Sequence, residues 1–127
     1  MNPRPILLFV YGTLHPDAAP PEIADTARKL EFVSTATVRG RLYDLGEYPG
    51  LVLDDSLDAP EVPGHIFTVP DGHTLAAIDA YEGFRPAAPA ESLFDRTHAT
   101  AILPGGEHRT CWVYVYNGDA GSKPTVH

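Results

Sequence analysis

One cysteine in 127 residues leaves no partner for an intrachain disulfide, so the chain depends on a packed core and suits a reducing compartment, by default the cytoplasm. Long apolar runs are missing: no stretch of about eighteen apolar residues exists to span a bilayer. Met1-Asn2-Pro3-Arg4-Pro5 also lacks the apolar centre of an export signal, so neither membrane insertion nor export is expected. Positive charge is scarce. With 9 Lys and Arg against 17 Asp and Glu the formal charge is −8, and no basic cluster offsets it, so a nucleic-acid backbone would be repelled. The 6 histidines, at 15, 65, 73, 98, 108 and 127, form no i, i+4 pair and do not alternate with Cys or carboxylates at ligand spacing. No metal or other cofactor is therefore called for. Oligomeric state carries no sequence signal.

What is present has the size of one domain, expected over 1–118, with 119–127 (Asp119-Ala120-Gly121-Ser122-Lys123-Pro124 and beyond) as a flexible tail. Ile6-Leu7-Leu8-Phe9-Val10-Tyr11 reads as a strand buried on both faces and closed by Gly12. Pro21 opens a short helix with Ile23, Ala27 and Leu30 on one side. Phe32 to Tyr43 is rich in β-branched and aromatic residues and reads as a long strand broken or bent at Gly40. A turn at Gly46-Glu47-Tyr48-Pro49-Gly50 leads to a short strand at Leu51-Val52-Leu53. Val62 to Val69 is another, with a bulge expected at Gly64. Asp71 stands as the N-cap of a helix over His73 to Tyr81, and Gly83 as its stop. Phe94 to Leu103 and His108 to Tyr116 form a hairpin around Pro104-Gly105-Gly106-Glu107. Strands grouped rather than alternating with helices favour an α+β domain or a small barrel over a doubly wound sheet.

Two features could carry chemistry. Leu75, Ile78, Asp79 and Glu82 follow i, i+3, i+4, i+7, so Glu82 shares a stripe with core residues and its carboxylate points inward or to the rim. Burial there would raise its proton affinity and make it a base near neutral pH; the plain alternative is a solvated last turn. The turn Tyr11-Gly12-Thr13-Leu14 could aim backbone N–H groups at a ligand carboxylate or an oxyanion, or could simply end a strand. It is no phosphate loop, because no lysine and no second spaced glycine follow. Tyr114 and Tyr116 share one strand face with Trp112, which suits core packing with hydroxyls at the rim. Cys111, mid-strand beside Trp112, reads as packing rather than as a nucleophile.

These segments come in an order that resembles the gamma-glutamylcyclotransferase-like family, in its AIG2-like and gamma-glutamylamine cyclotransferase branch. The resemblance rests on Val10-Tyr11-Gly12-Thr13-Leu14, on Gly40-Arg41-Leu42-Tyr43-Asp44-Leu45-Gly46-Glu47-Tyr48-Pro49-Gly50-Leu51-Val52, on Ile78-Asp79-Ala80-Tyr81-Glu82-Gly83-Phe84, and on Trp112-Val113-Tyr114-Val115-Tyr116-Asn117. It implies a small mixed β-barrel flanked by two or so helices and a small-molecule gamma-glutamyl substrate. It further implies Glu82 as catalytic acid and base, with Tyr11, Gly12, Thr13, Leu14 and Tyr116 binding substrate. The reaction implied is cyclisation: the substrate's α-amine attacks its own γ-carbonyl, releasing an amine and 5-oxoproline. Two departures bear on the substrate. His15-Pro16-Asp17 follows the first motif where relatives carry Arg and then Asn, and Phe94 stands where many carry Tyr. They leave a non-catalytic binding or regulatory module of the same fold as the alternative.

Overall fold

The computed structural model describes residues 6–11, 21–44, 49–54, 56, 58–84, 87 and 94–116. The elements run β1 (Ile6–Val10), α1 (Pro21–Ala27), β2 (Glu31–Asp44), β3 (Pro49–Leu53), β4 (Glu61–Val69), α2 (Gly72–Glu82), β5 (Phe94–Ile102) and β6 (His108–Tyr116). The strands lie in the order β3-β2-β4-β1-β6-β5, and a further β2–β5 pairing at Thr37↔Ile102 joins the ends. Five strands therefore close into a mixed barrel, with β3 added to β2. Among the described residues only β1 and β6 run parallel; the other pairings are antiparallel.

Alternation along the strands divides the apolar residues between two sides. Phe9, Ala36, Val38, Val62, Ile66, Ala101, Cys111 and Val113 fill the inside of the barrel. Leu8, Val10, Phe67, Val69 and Tyr114 face outward, where Ile23 and Leu30 from the α1 segment and Leu75 and Ile78 from α2 cover them. β1 is thus buried on both faces between β4 and β6, as its unbroken apolar run predicts. Among the described residues no helix is long and apolar enough to cross a membrane.

Two glycines have a role that the sequence did not specify. β2 is one strand through Gly40, so it is not broken there, and its partners change at that point: β4 pairs along one edge from Glu31 to Arg39, and β3 takes the other edge from Gly40 onward. Gly64 makes no bulge, since Ala36↔Gly64 stays in register. Its missing side chain admits the Phe9 ring, which a Cβ would meet at 2.5 Å, and the Val10 carbonyl at 2.6 Å. The bulge sits earlier, where Val33 is the extra residue between the pairs Phe32↔Phe67 and Ser34↔Ile66. Shifting phase by one residue turns Phe32 to the outside while Ala36 and Val38 point in.

Because Phe9 lies in the closed interior and has no room to withdraw, Gly64→Ala is expected to cost about 1–3 kcal/mol of stability. Urea denaturation of the two proteins measures this; equal midpoints would contradict the packing described.

Candidate active site

α2 owes its limits to local chemistry. The Asp71 carboxylate accepts from the Thr74 backbone N–H at 2.7 Å, which caps the first turn and holds that carboxyl below its usual range. Gly83 adopts φ 77, and the N–H groups of Gly83 and Phe84 return to the carbonyls of Ala80 and Asp79. This closing motif needs a left-handed residue, so glycine belongs there. Glu82 is the last helical residue, and burial pushes its carboxyl up to about 7. Near neutral pH it is divided between its acid and base forms.

Tyr11 lies just beyond β1. Its hydroxyl donates to the Tyr114 carbonyl at 2.6 Å and accepts from the Leu51 backbone N–H at 3.2 Å. Burial raises its proton affinity far above the phenol range, and the Glu82 charge adds to that rise. Tyr114 is raised likewise, by burial first, then by its bond to Asp79, with Glu82 again contributing. Both hydroxyls therefore stand within electrostatic reach of Glu82 and remain neutral phenols. The motif strand of Tyr11, the helix end of Glu82 and the tyrosine strand of Tyr114 meet in one neighbourhood.

Tyr116, at the end of β6, is half-buried on the same face as Tyr114 and packs edge-on against Phe94, ring centres 6.2 Å apart. Gly12, Thr13, Leu14 and His15 lie outside the described residues, as does the tail 119–127. Cys111 is inside the barrel, where burial pushes its thiol up to about 11, so it is a poor nucleophile at neutral pH. Among the described residues no group of three His, Cys, Asp or Glu is placed to hold a metal. An open groove of about 860 Å³ has Val10, Tyr11, Thr35, Thr37, His65 and Leu103 among its described walls, but not Glu82. The candidate site is therefore the Glu82 side of Tyr11.

Sequence reasoning passed over one constellation here. Asp79, on the stripe of Glu82, accepts from Arg96 Nε at 2.8 Å and from the Tyr114 hydroxyl at 2.6 Å. The Tyr114 hydroxyl is thus buried and bonded rather than at the rim. The pairing Arg96↔Tyr114 across β5 and β6 brings these groups together. Arg96 falls on the same strand face as Phe94, a period-2 signal that becomes informative once the hairpin register is known.

A carboxyl that holds its proton more tightly when folded makes folding take up a proton between pH 4.5 and 7, so stability falls as pH rises through that window. Glu82→Gln removes the penalty. The variant is expected to be on the order of 2 kcal/mol more stable than wild type at about pH 8, with the difference vanishing below about pH 4.5. Urea denaturation at both pH values checks this, and a pH-independent difference would contradict a buried carboxyl.

The sequence model of the family described as Gamma-glutamyl cyclotransferase, AIG2-like, matches residues 8–126. A Vibrio cholerae serotype O1 protein, named by inference as a gamma-glutamylcyclotransferase, is 36% identical over 110 residues, which cover 87% of this chain and 81% of that one. The crystal structure of an AIG2-like protein from Mus musculus matches with a TM-score of 0.74 at 20% identity, over 98% of this chain and 87% of that one. YkqA from Bacillus subtilis matches with a TM-score of 0.69 at 18% identity over 97% of this chain, which spans 38% of YkqA. At such identities the two structures speak for the fold. The family match across nearly the whole chain and the Vibrio relative together go further: the chain belongs to the AIG2-like gamma-glutamyl cyclotransferases, an enzyme family.

Proposed function

We propose that this protein converts a gamma-glutamyl amine or gamma-glutamyl amino acid to 5-oxoproline and the free amine, with Glu82 as acid and base. The observation that carries the reading is the burial of Glu82 beside Tyr11, which brings its carboxyl to about 7. A general base is most effective when its pKa lies near the working pH. Glu82 takes a proton from the substrate's α-ammonium, and the freed amine attacks the γ-carbonyl carbon of the same molecule. As the new C–N bond closes the lactam ring, the bond to the leaving amine breaks and protonated Glu82 returns its proton to that nitrogen; the second proton of the ring nitrogen passes by way of Glu82 to the freed amine, which departs as an ammonium. Protons balance with no covalent enzyme intermediate.

Intramolecular attack explains why one carboxyl can suffice. Holding amine and carbonyl in contact can be worth roughly 7–11 kcal/mol in favourable cases. In this reading the backbone N–H groups of Gly12, Thr13 and Leu14 hold the glutamyl carboxylate or the developing oxyanion. The Tyr11 hydroxyl proton is already committed to Tyr114, so Tyr11 offers its ring and backbone to the substrate. Tyr116, on the same face as Tyr114, contributes a wall. The Vibrio relative's name supports the reaction class.

Purified protein incubated with gamma-glutamyl-lysine, gamma-glutamyl-alanine and glutathione is expected to release 5-oxoproline from at least one. The kcat/KM should rise with pH through about 7 as Glu82 loses its proton. Glu82→Gln should lose about 10²–10⁴-fold in kcat. Equal product release by wild type and Glu82→Gln would overturn the mechanism.

A further inference from the structure

β2 uses its two edges unequally. β4 takes one edge from Glu31 to Arg39, while on the other β3 pairs from Gly40 to Asp44 and β5 meets Thr37 alone. Backbone direction fixes which residues serve which edge. The Arg39 carbonyl accepts from the Asp54 N–H on the β3 side, and the Gly40 N–H donates to the Pro60 carbonyl on the β4 side. By strand alternation Thr37 and Thr35 therefore turn their backbone polar groups away from β4. One further step of the Thr37↔Ile102 ladder would set Thr35 opposite Pro104, which has no N–H, and the Leu103 N–H is spent on the Glu107 carbonyl at 2.8 Å. The ladder stops there. From Glu31 to Ala36 this edge has no strand neighbour among the described residues, and the Thr35 carbonyl is met by the Ser34 hydroxyl at 2.8 Å.

The open edge borders the groove of about 860 Å³, whose described walls include Thr35, Thr37, Glu61, His65, Leu103 and Pro104. Phe32 and Val33, 58% and 45% exposed, belong to the same stretch, and the Phe32 ring centre lies 5.9 Å from that of His65 on the groove wall. An exposed strand edge carrying apolar side chains is a template for another strand. We propose that this edge and groove form a docking surface for an extended, basic peptide of another protein, added to β2 as a further strand. Extended main chain is the chemistry that answers a free edge, since it brings carbonyls to the Thr35 N–H at strand spacing. Charge then selects among peptides. Glu61 stands in the groove wall and Glu31 at the start of the strand, and neither carboxylate has an ion-pair partner among the described residues. A second copy would bring like carboxylates, and two chains of formal charge −8, together; lysines or arginines meet them with opposite sign. Glu82 is not among the described walls, so the proposal stands apart from the cyclotransferase reading.

The test uses the full-length protein, ¹⁵N-labelled, with three acetylated and amidated heptapeptides: alternating Val and Lys, alternating Val and Glu, and the first with every peptide nitrogen methylated. The lysine peptide should bind and slow hydrogen exchange of the Thr35 amide by about tenfold or more, as that N–H gains a partner. The other two should bind at least about tenfold more weakly, one for its charge and one for its blocked backbone. Thr35→Pro removes the edge N–H while leaving the β4 ladder whole, and should weaken the lysine peptide by a similar factor. If that variant does not fold, Glu61→Gln carries the same arm, with a loss of about threefold at low salt that disappears at high salt. Absence of binding by the lysine peptide, an unprotected Thr35 amide in its presence, or equal binding by the methylated or the glutamate peptide would overturn the proposal. Protection of the same amide without peptide, rising with protein concentration as sedimentation reveals a dimer, would overturn it in favour of a second copy.

Discussion

One carboxylate oxygen, Oδ1 of Asp79, joins the helix that ends in Glu82 to the strands behind it. Two donors from adjacent strands converge on it, and the bond chain continues from there. Tyr114 gives its hydroxyl to Asp79 and its carbonyl to the Tyr11 hydroxyl, and Tyr11 in turn accepts from the Leu51 N–H. α2, β6, the end of β1 and β3 are thereby linked through polar groups withdrawn from water. Bonds of this kind are strong because their low-dielectric surroundings make an unpaired partner expensive. Glu82 takes no part in these bonds, and burial alone raises its carboxyl. Asp79 holds; Glu82 is kept dry enough to keep a proton near neutral pH.

The barrel explains why the site forms where it does. Among the described residues β1 and β6 are the only parallel neighbours, and Leu8↔Trp112 is their one registered pair. Three residues further along β1 the ladder has given way to a side chain: the Tyr11 phenol, not its backbone, reaches the Tyr114 carbonyl. α2 lies over the outer faces of β1 and β4, anchored by Leu75 and Ile78, and its last residue, Glu82, comes within electrostatic reach of the Tyr11 hydroxyl.

Much of this was legible in the residues. The unbroken apolar run from Ile6 located a strand buried on both faces, Asp71 and Gly83 marked both ends of α2, and the Pro104–Glu107 turn joined β5 to β6. The barrel was legible as one of two options from the grouped strands and through the family resemblance, but its closing pair, Thr37↔Ile102, is distant in sequence and no local pattern announces it. Gly40 and Gly64 could be recognised as special without showing why. Their reason is the close approach of Leu51, Val52, Phe9 and Val10 from elsewhere in the chain. The i, i+3, i+4, i+7 stripe placed Glu82 on the covered side of its helix, but the partnership of Asp79 with Arg96 required the β5–β6 register.

The cyclisation we propose would ask little of the protein beyond desolvation and orientation, since its nucleophile and electrophile would belong to one substrate molecule. The most direct measurement is a crystal structure with 5-oxoproline bound. The account predicts the lactam N–H within hydrogen-bond reach of the Glu82 carboxyl and the product's carboxylate or lactam oxygen on the backbone amides following Tyr11. Product bound away from Glu82, in the groove lined by His65 and Leu103, would contradict it.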